Sequence, residues 1–185
     1  SWGCGSREGL DEEDETMVTI RYSAVCAFNE DLSAVVLIHK LKPVWQLDRA
    51  NFPGGKVEVN DGEGEQGHRL CAVRELQEET GLNVDAVDLT LFCVLHFDGG
   101  VCYFYACKTD INKAHTKETE TVFLGEVFDI LQGEVFYMPP SGTKARDVLT
   151  LRTMSNLPFL MSMALACTKG VFTRIKHFDV TEVYQ

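Results

Sequence analysis

The chain has 185 residues, 45% of them hydrophobic and 24% charged, a composition ordinary for one globular domain and sufficient to bury a substantial core. Its 17 basic and 28 acidic side chains leave a net charge of −11, which argues against tight sequence-independent binding to a nucleic acid backbone, since that needs a basic patch. A membrane span needs about 20 consecutive apolar residues, and the best candidate, Phe159–Cys167, is far shorter.

Residues 1–16, SWGCGSREGLDEEDET, are rich in glycine and acid without periodicity and read as a flexible acidic arm with no apolar signal segment. A single domain is expected over 17–185. Met17–Phe28 and Leu32–Lys40 are rich in Val, Ile, Ala and Tyr and flank Asn29-Glu30-Asp31, the pattern of two strands joined by a turn. Val44–Asn51 reads as a mixed connection. Gly54 and Gly55 follow Pro53 and precede a short β-like run, Lys56-Val57-Glu58-Val59. Glycine there lets the backbone approach a ligand closely and leaves a carbonyl free for a metal shell. The polar segment 60–69, NDGEGEQGHR, has the composition of a surface loop.

A helix then follows, with Leu70, Val73 and Leu76, and Ala72 close by, forming the stripe that anchors it on a core. Gly81 is its left-handed cap. Val87–His96 and Val101–Lys108 form a hairpin around Asp98-Gly99-Gly100, and Glu120–Phe128 is a further short strand. Asn156–Thr168 is the second helix, with the Met-rich Phe159–Met163 in the core, and Val171–Val183 alternates as a terminal strand. Two helices and many strands pack naturally as an α/β fold, a mixed sheet covered on both faces.

The first helix carries the chemistry. Glu75 lies beside both Glu78 and Glu79 at helical spacing, where like charges repel by roughly 0.2–0.5 kcal/mol per pair. A cation relieves that repulsion, and hard carboxylate oxygens suit Mg²⁺, which fills its octahedron with water and substrate phosphates. The substrate class that follows is phosphorylated. The plainer alternative is a solvated acidic face. Seven cysteines are an odd number with no zinc-site spacing; Cys26, Cys71, Cys93, Cys102 and Cys107 sit in apolar runs and read as small buried residues in a reducing, cytoplasmic compartment. His39, His68, His96, His115 and His177 are scattered, without the spacing of a transition-metal site.

The run Arg74-Glu75-Leu76-Gln77-Glu78-Glu79-Thr80-Gly81-Leu82, together with Gly55 in PGGKVE, resembles the box of the Nudix hydrolases: glycine, five residues, glutamate, seven residues, Arg-Glu, aliphatic, any, Glu-Glu, any, glycine, aliphatic. The second half matches at every position. The middle departs, because Gly55 and Arg74 are nineteen positions apart where the pattern has fourteen, placing about five extra residues in 60–69, read as a lengthened loop. The first acid of the box is therefore open among Asp61, at the nominal spacing, Glu63 and Glu65. With Trp45 upstream and a looser likeness at Asn156–Leu165, the resemblance covers most of residues 17–170.

The resemblance implies an α/β/α sandwich and a pyrophosphohydrolase using Mg²⁺, or Mn²⁺ in its place. Glu78 and Glu79 would be the main metal ligands, the Gly55 carbonyl would join the shell, Glu75 would be ligand or general base, and Arg74 would orient the carboxylates. The resemblance also implies a further glutamate outside the box as ligand or base, either Glu118 or Glu120, with Glu120 preferred because it lies three residues before Phe123. Trp45 either stacks on a nucleobase or packs in the core; Asn51, Phe52, Gly54 and Lys56 are the other residues placed to touch substrate. The expected partner is a nucleotide-type small molecule, with no membrane, no nucleic acid apart from a capped RNA end as an alternative substrate, and a homodimer left open. A nucleotide-binding module without turnover is the other reading, kept open by the stretched first half of the box.

Overall fold

The structure, a computed structural model, describes residues 19–137, 149–171 and 176–179. The expected acidic arm and the outer parts of the first and last strands lie outside these residues. The first two strands are β1 (Ile20–Phe28) and β2 (Ala34–Lys40), followed by a 3₁₀ turn at Val44–Gln46, β3 (Arg49–Asn51) and β4 (Gly54–Lys56). A second 3₁₀ turn at Val59–Asp61 leads into α1 (Gly64–Thr80). Then come β5 (Thr90–Phe97), β6 (Gly100–Lys108), β7 (Thr121–Glu126), α2 (Val127–Leu131), β8 (Glu134–Tyr137), β9 (Leu149–Thr153), α3 (Leu157–Thr168) and β10 (Lys176–Asp179).

The strands form one mixed sheet in the order β10-β5-β6-β1-β2-β3-β9-β8, with β4 paired to β1 and β7 to β2. Its two faces follow from the alternation of side chains along each strand. Val25 and Ala27 of β1, Val36 of β2, and Tyr105 and Cys107 of β6 point to one side, where Ala72 and Leu76 of α1 complete the cluster. Their neighbours Cys26, Phe28, Val35, Leu37, Phe104 and Ala106 point to the other, where α2 and α3 bring Ile130, Leu157, Leu160 and Met161. The expected α/β/α sandwich is thus observed, with α1, among the described α-helices, on the first face and α3 with α2 on the second.

The position of α1 depends on a splay in the sheet. β1 pairs with β2 only beside their turn, at Phe28↔Val35. Further back the two strands part, and β4 takes the vacated edge of β1, at Tyr22↔Lys56, Ser23↔Gly55 and Ala24↔Gly54. The glycines therefore sit inside the sheet, directly under the helix.

Several elements differ from the sequence reading. The β-like run expected at Lys56–Val59 ends at Lys56 and gives way to the 3₁₀ turn. The connection Val44–Asn51 contains β3, which pairs with both β2 and β9. The strand expected over Glu120–Phe128 stops at Glu126 and turns directly into α2. β8 and β9 were not anticipated. The segment 60–69 is largely helix, since α1 begins at Gly64. Tertiary contacts override its loop-like composition: His68 stacks on Tyr103 with centroids 3.6 Å apart, and its carbonyl accepts the Ser23 hydroxyl at 2.7 Å. Arg69 donates to the carbonyls of Ala86 and Leu89 and lies over the Tyr105 ring.

The longer helix also buries a different stripe. Cys71, Ala72 and Leu76 face the sheet, whereas Leu70 is 39% exposed and Val73 half-buried. Leu76→Ala should therefore cost about 2–5 kcal/mol of stability as a buried large-to-small change, and Leu70→Ala less than about 1 kcal/mol; urea unfolding of both variants checks this.

Candidate active site

Arg74 is the hub of the site. Its Nε and Nη2 donate to the two oxygens of Asp61 at 2.9 and 2.8 Å, the bidentate geometry that only a guanidinium offers. Its Nη1 donates to Glu75 Oε1 at 2.7 Å and Glu78 Oε2 at 3.0 Å, and Nη2 also reaches the Lys56 carbonyl at 3.1 Å. Of the three acids left open by the spacing, Asp61 is the one Arg74 holds. Glu65 instead pairs with Arg69 at 3.2 Å, and Glu63 precedes the first turn of α1. Asp61 also accepts the Glu58 amide at 2.8 Å. The hydrogen bonds and charge of Arg74 hold its carboxyl below the ordinary value.

The glutamates do not share one environment. Glu78 is exposed, Glu75 half-buried, and Glu79 only 8% exposed, so the outward-facing cluster expected from the sequence is in fact graded from solvent into the fold. Glu79 Oε2 accepts the Gly54 amide at 2.8 Å. Burial pushes its carboxyl up to about 7, against the pull of Lys40 and of the Gly54 amide, with Glu75 and Glu120 adding repulsion. Burial likewise raises Glu75, partly countered by Arg74.

Gly55 is pressed against this cluster. A Cβ there would overlap the Glu75 carboxylate, and one at Gly54 would overlap the Ser23 carbonyl. Only glycine allows backbone this close to both the sheet and the glutamates. At the far end of α1, Gly81 adopts φ 76° and ψ 0° as the expected left-handed cap. The loop after β6 closes over it: the His115 ring occupies the space a Gly81 side chain would need, and Lys117 Nζ donates to the Gln77 carbonyl at 3.2 Å. A cation there also complements the negative end of the helix dipole.

The same loop delivers Glu120, which is buried. Its carboxylate accepts Lys40 Nζ at 2.5 Å and the amides of Leu41 and Lys42 at 2.8 and 3.2 Å. Burial alone would raise its carboxyl, but these donors hold it below the ordinary value. Lys40 Nζ also lies 3.9 Å from Glu79 Oε1. Lys40 was missed in the sequence, although a lysine two residues beyond Ile38 shares its strand face, the face that packs under α1. Glu118 is exposed, yet its charge reaches Glu75.

The residues expected to touch substrate fare unequally. Lys56 is exposed beside Gly55, and its carbonyl is spent on Arg74. Asn51 is half-buried, with Nδ2 donating to Gln46 Oε1 at 3.3 Å and Oδ1 accepting the Phe52 amide at 2.9 Å. Phe52, only 3% exposed, belongs to the core cluster on the α3 face, so its side chain is packing and does not line the site. Trp45 is 45% exposed on the turn between β2 and β3, outside the core. Among the described cysteines none forms a disulfide; Cys26, Cys71, Cys93 and Cys107 are buried as expected, whereas Cys102 is half-buried.

The family description NUDIX domain matches residues 19–141. The chain belongs to the Nudix family. No curated protein matches it in sequence. Among solved structures it is similar to a MutT described for Aliivibrio salmonicida and Vibrio cholerae, with a TM-score of 0.56 and 23% identity over 80% of this chain and 98% of that one. It is also similar to a MutT protein of Bacillus halodurans, at TM-score 0.58 and 16% identity over 88% and 89% of the two chains. A third likeness is to the NUDIX domain of Shewanella oneidensis NrtR, a structure complexed with ADP ribose, at TM-score 0.60 and 14% identity over 81% and 88%. At these identities the likenesses establish the fold. No described helix is long and apolar enough to cross a membrane.

The raised Glu79 carboxyl has a consequence for the metal-free protein. Between about 4.5, its ordinary value, and about 7, the folded state binds more protons than the unfolded chain, so this group lowers stability as pH rises through that window. Glu79→Gln should therefore be more stable than the parent at pH 8 in EDTA, with the difference shrinking toward pH 5; urea unfolding across that range measures it, and a constant difference would contradict the assignment.

Proposed function

We propose that this chain is a Mg²⁺-dependent diphosphatase that cleaves a nucleoside diphosphate linked to another group, by attack of water on phosphorus. The observation that carries this reading is the placement of Glu75, Glu78 and Glu79 on successive turns of α1, with Glu75 and Glu78 tied by one arginine to Asp61, Glu79 held by the Gly54 amide, and the Gly55 backbone pressed against Glu75. Among the described residues no three acidic, His or Cys side chains converge as a metal shell; Arg74 pairs with Glu75 and Glu78, and Lys40 lies beside Glu79. The donor chemistry nevertheless fits a hard divalent cation, being carboxylate and carbonyl oxygen throughout. Glu78 and Glu79, with Glu75 and the Gly55 carbonyl, would hold it.

The bound ion supplies Lewis acidity, lowering the pKa of water and neutralising phosphoryl oxygens. The chain's own residues do the rest. Arg74 sets the rotamers of Glu75 and Glu78, so that neither must reorganise as charge develops. Glu75, held by Arg74 and lifted by burial, keeps the role of ligand or base. Lys40 lies at the edge of the cluster, where it can meet a phosphoryl oxygen, and Glu120 acts by positioning it. The Leu41 and Lys42 amides on Glu120 tether the turn that carries Trp45, which makes that ring the candidate for base stacking. The ADP ribose in the Shewanella oneidensis structure supports a nucleotide-type substrate. The non-catalytic reading drew on the stretched box, and that support weakens because the longer segment still brings Asp61 to Arg74.

The test is a phosphate-release screen with Mg²⁺, coupled to a phosphatase, against nucleoside triphosphates, ADP-ribose, dinucleoside polyphosphates and nucleotide sugars. At least one should turn over at an EDTA-sensitive rate. Glu78→Gln, on an exposed face, should keep its circular dichroism spectrum and lose activity by about 100-fold or more, while the outer-shell change Arg74→Lys should cost about 10–100-fold. Full activity of Glu78→Gln at saturating Mg²⁺ would remove it from the metal shell.

A further inference from the structure

Helix α1 lies over β1, β4 and β6, whereas β3 and β9, which leave β2 at its far end, carry side chains with solvent exposure on the strand face that holds Lys40. The strand registers place one row of charges across them. Lys40 of β2 faces Arg49 of β3, Arg49 faces Arg152 of β9, and Arg152 faces Glu134 of β8. Alternation fixes the side from which they project. The adjoining Ala50, Leu151 and Val135 are buried in the cluster under α2 and α3, so Arg49, Arg152 and Glu134 lie on the opposite face with Lys40, whose Nζ reaches Glu79 and Glu120.

Three cations thus stand on three neighbouring strands, beginning at the candidate active site. Like charges facing one another across strands are destabilising, and this row persists in a chain of net charge −11. Arg49 is half-buried and donates from Nη1 to the Thr153 carbonyl at 3.3 Å, which fixes its guanidinium. Arg152 is exposed, and no carboxylate among the described residues lies within ion-pair distance of it. A surface depression of about 490 Å³ adjoins the row where β2, β3 and β9 meet; Arg49, Thr150 and Arg152 line it from the row's face, and His39, Leu47, Asp48 and Leu151 complete it. The one acid among these, Asp48, is engaged by His39 at 3.0 Å. Phe136, 52% exposed, faces Thr150 one step along the same face.

We propose that the row Lys40, Arg49 and Arg152 is an anion track that binds phosphates beyond the pair being cleaved, making the substrate a nucleotide-linked chain of three or more phosphates. This rests on the diphosphatase reading above and adds the substrate class. Strands about 4.8 Å apart put Arg152 roughly 10 Å along the row from Lys40, beyond the reach of a single diphosphate engaged at the glutamates. Planar guanidinium forks match successive phosphate groups, and Phe136 offers a ring face to the group that ends the chain.

Calorimetric titration of the full chain with Mg²⁺ tests this, using two probes that water does not cleave: a methylene-bridged diphosphonate and the corresponding triphosphonate. The triphosphonate should bind about tenfold more tightly, the effect of one added charge-assisted hydrogen bond. Arg152→Glu, and independently Thr150→Glu on the same exposed face, should erase most of that preference. Equal affinities in the parent, or a preference that survives both variants, overturns the track and leaves the diphosphatase reading standing. Triphosphonate binding in EDTA without diphosphonate binding in Mg²⁺ supports the track and overturns the metal-site reading. Failure of both probes to bind overturns both.

Discussion

One guanidinium organises the acids around the first half of the site. Arg74 spans from the 3₁₀ turn before α1 to the middle of the helix and touches Asp61, Glu75, Glu78 and the Lys56 carbonyl at once. A lysine has one point of charge and could not hold two oxygens of Asp61 while ordering two further carboxylates. The aspartate is one methylene shorter than the glutamate of the family pattern. The tight turn at Val59–Asp61, in which the Asp61 carboxylate accepts the Glu58 amide and the Asp61 amide donates to the Glu58 carbonyl, is what carries the shorter side chain to the arginine.

The sheet supplies the other half of the geometry. Because β1 and β2 part beyond their turn, a third segment can enter between the two strands beneath the helix, and only a pair of glycines fits there. From opposite directions, β2 and the loop before β7 then bring Lys40 and Glu120 to the same point. The ends of α1 are held as well, by the stacking of His68 on Tyr103 at one end and by His115 and Lys117 at the other. The helix therefore has little freedom to rotate its glutamates away from the backbone they face.

The parts legible in the sequence were those with a local physical signature. The spacing of Glu75, Glu78 and Glu79, the Gly81 cap and the β5–β6 hairpin all announce themselves within a few residues. The parts that were not legible depend on distant partners. Segment 60–69 looks like loop because its helix is held by contacts from Ser23, Tyr103 and Tyr105. The three-residue β3 is too short to show alternation, yet it joins β2 to β9. Glu79 could not be told from Glu78 by sequence, because its burial comes from Gly54 and Lys40, which lie elsewhere in the chain.

Lys40 and Arg74 also bear on how the chain folds. In small zinc domains the ion is part of folding, and removing it unravels the chain. Here each buried carboxylate has an internal counter-charge or an amide donor, so neutralising them on folding falls to the chain itself. Loss of either Lys40 or Arg74 would leave a carboxylate buried without its counter-charge, so these two positions answer to the fold as much as to the site.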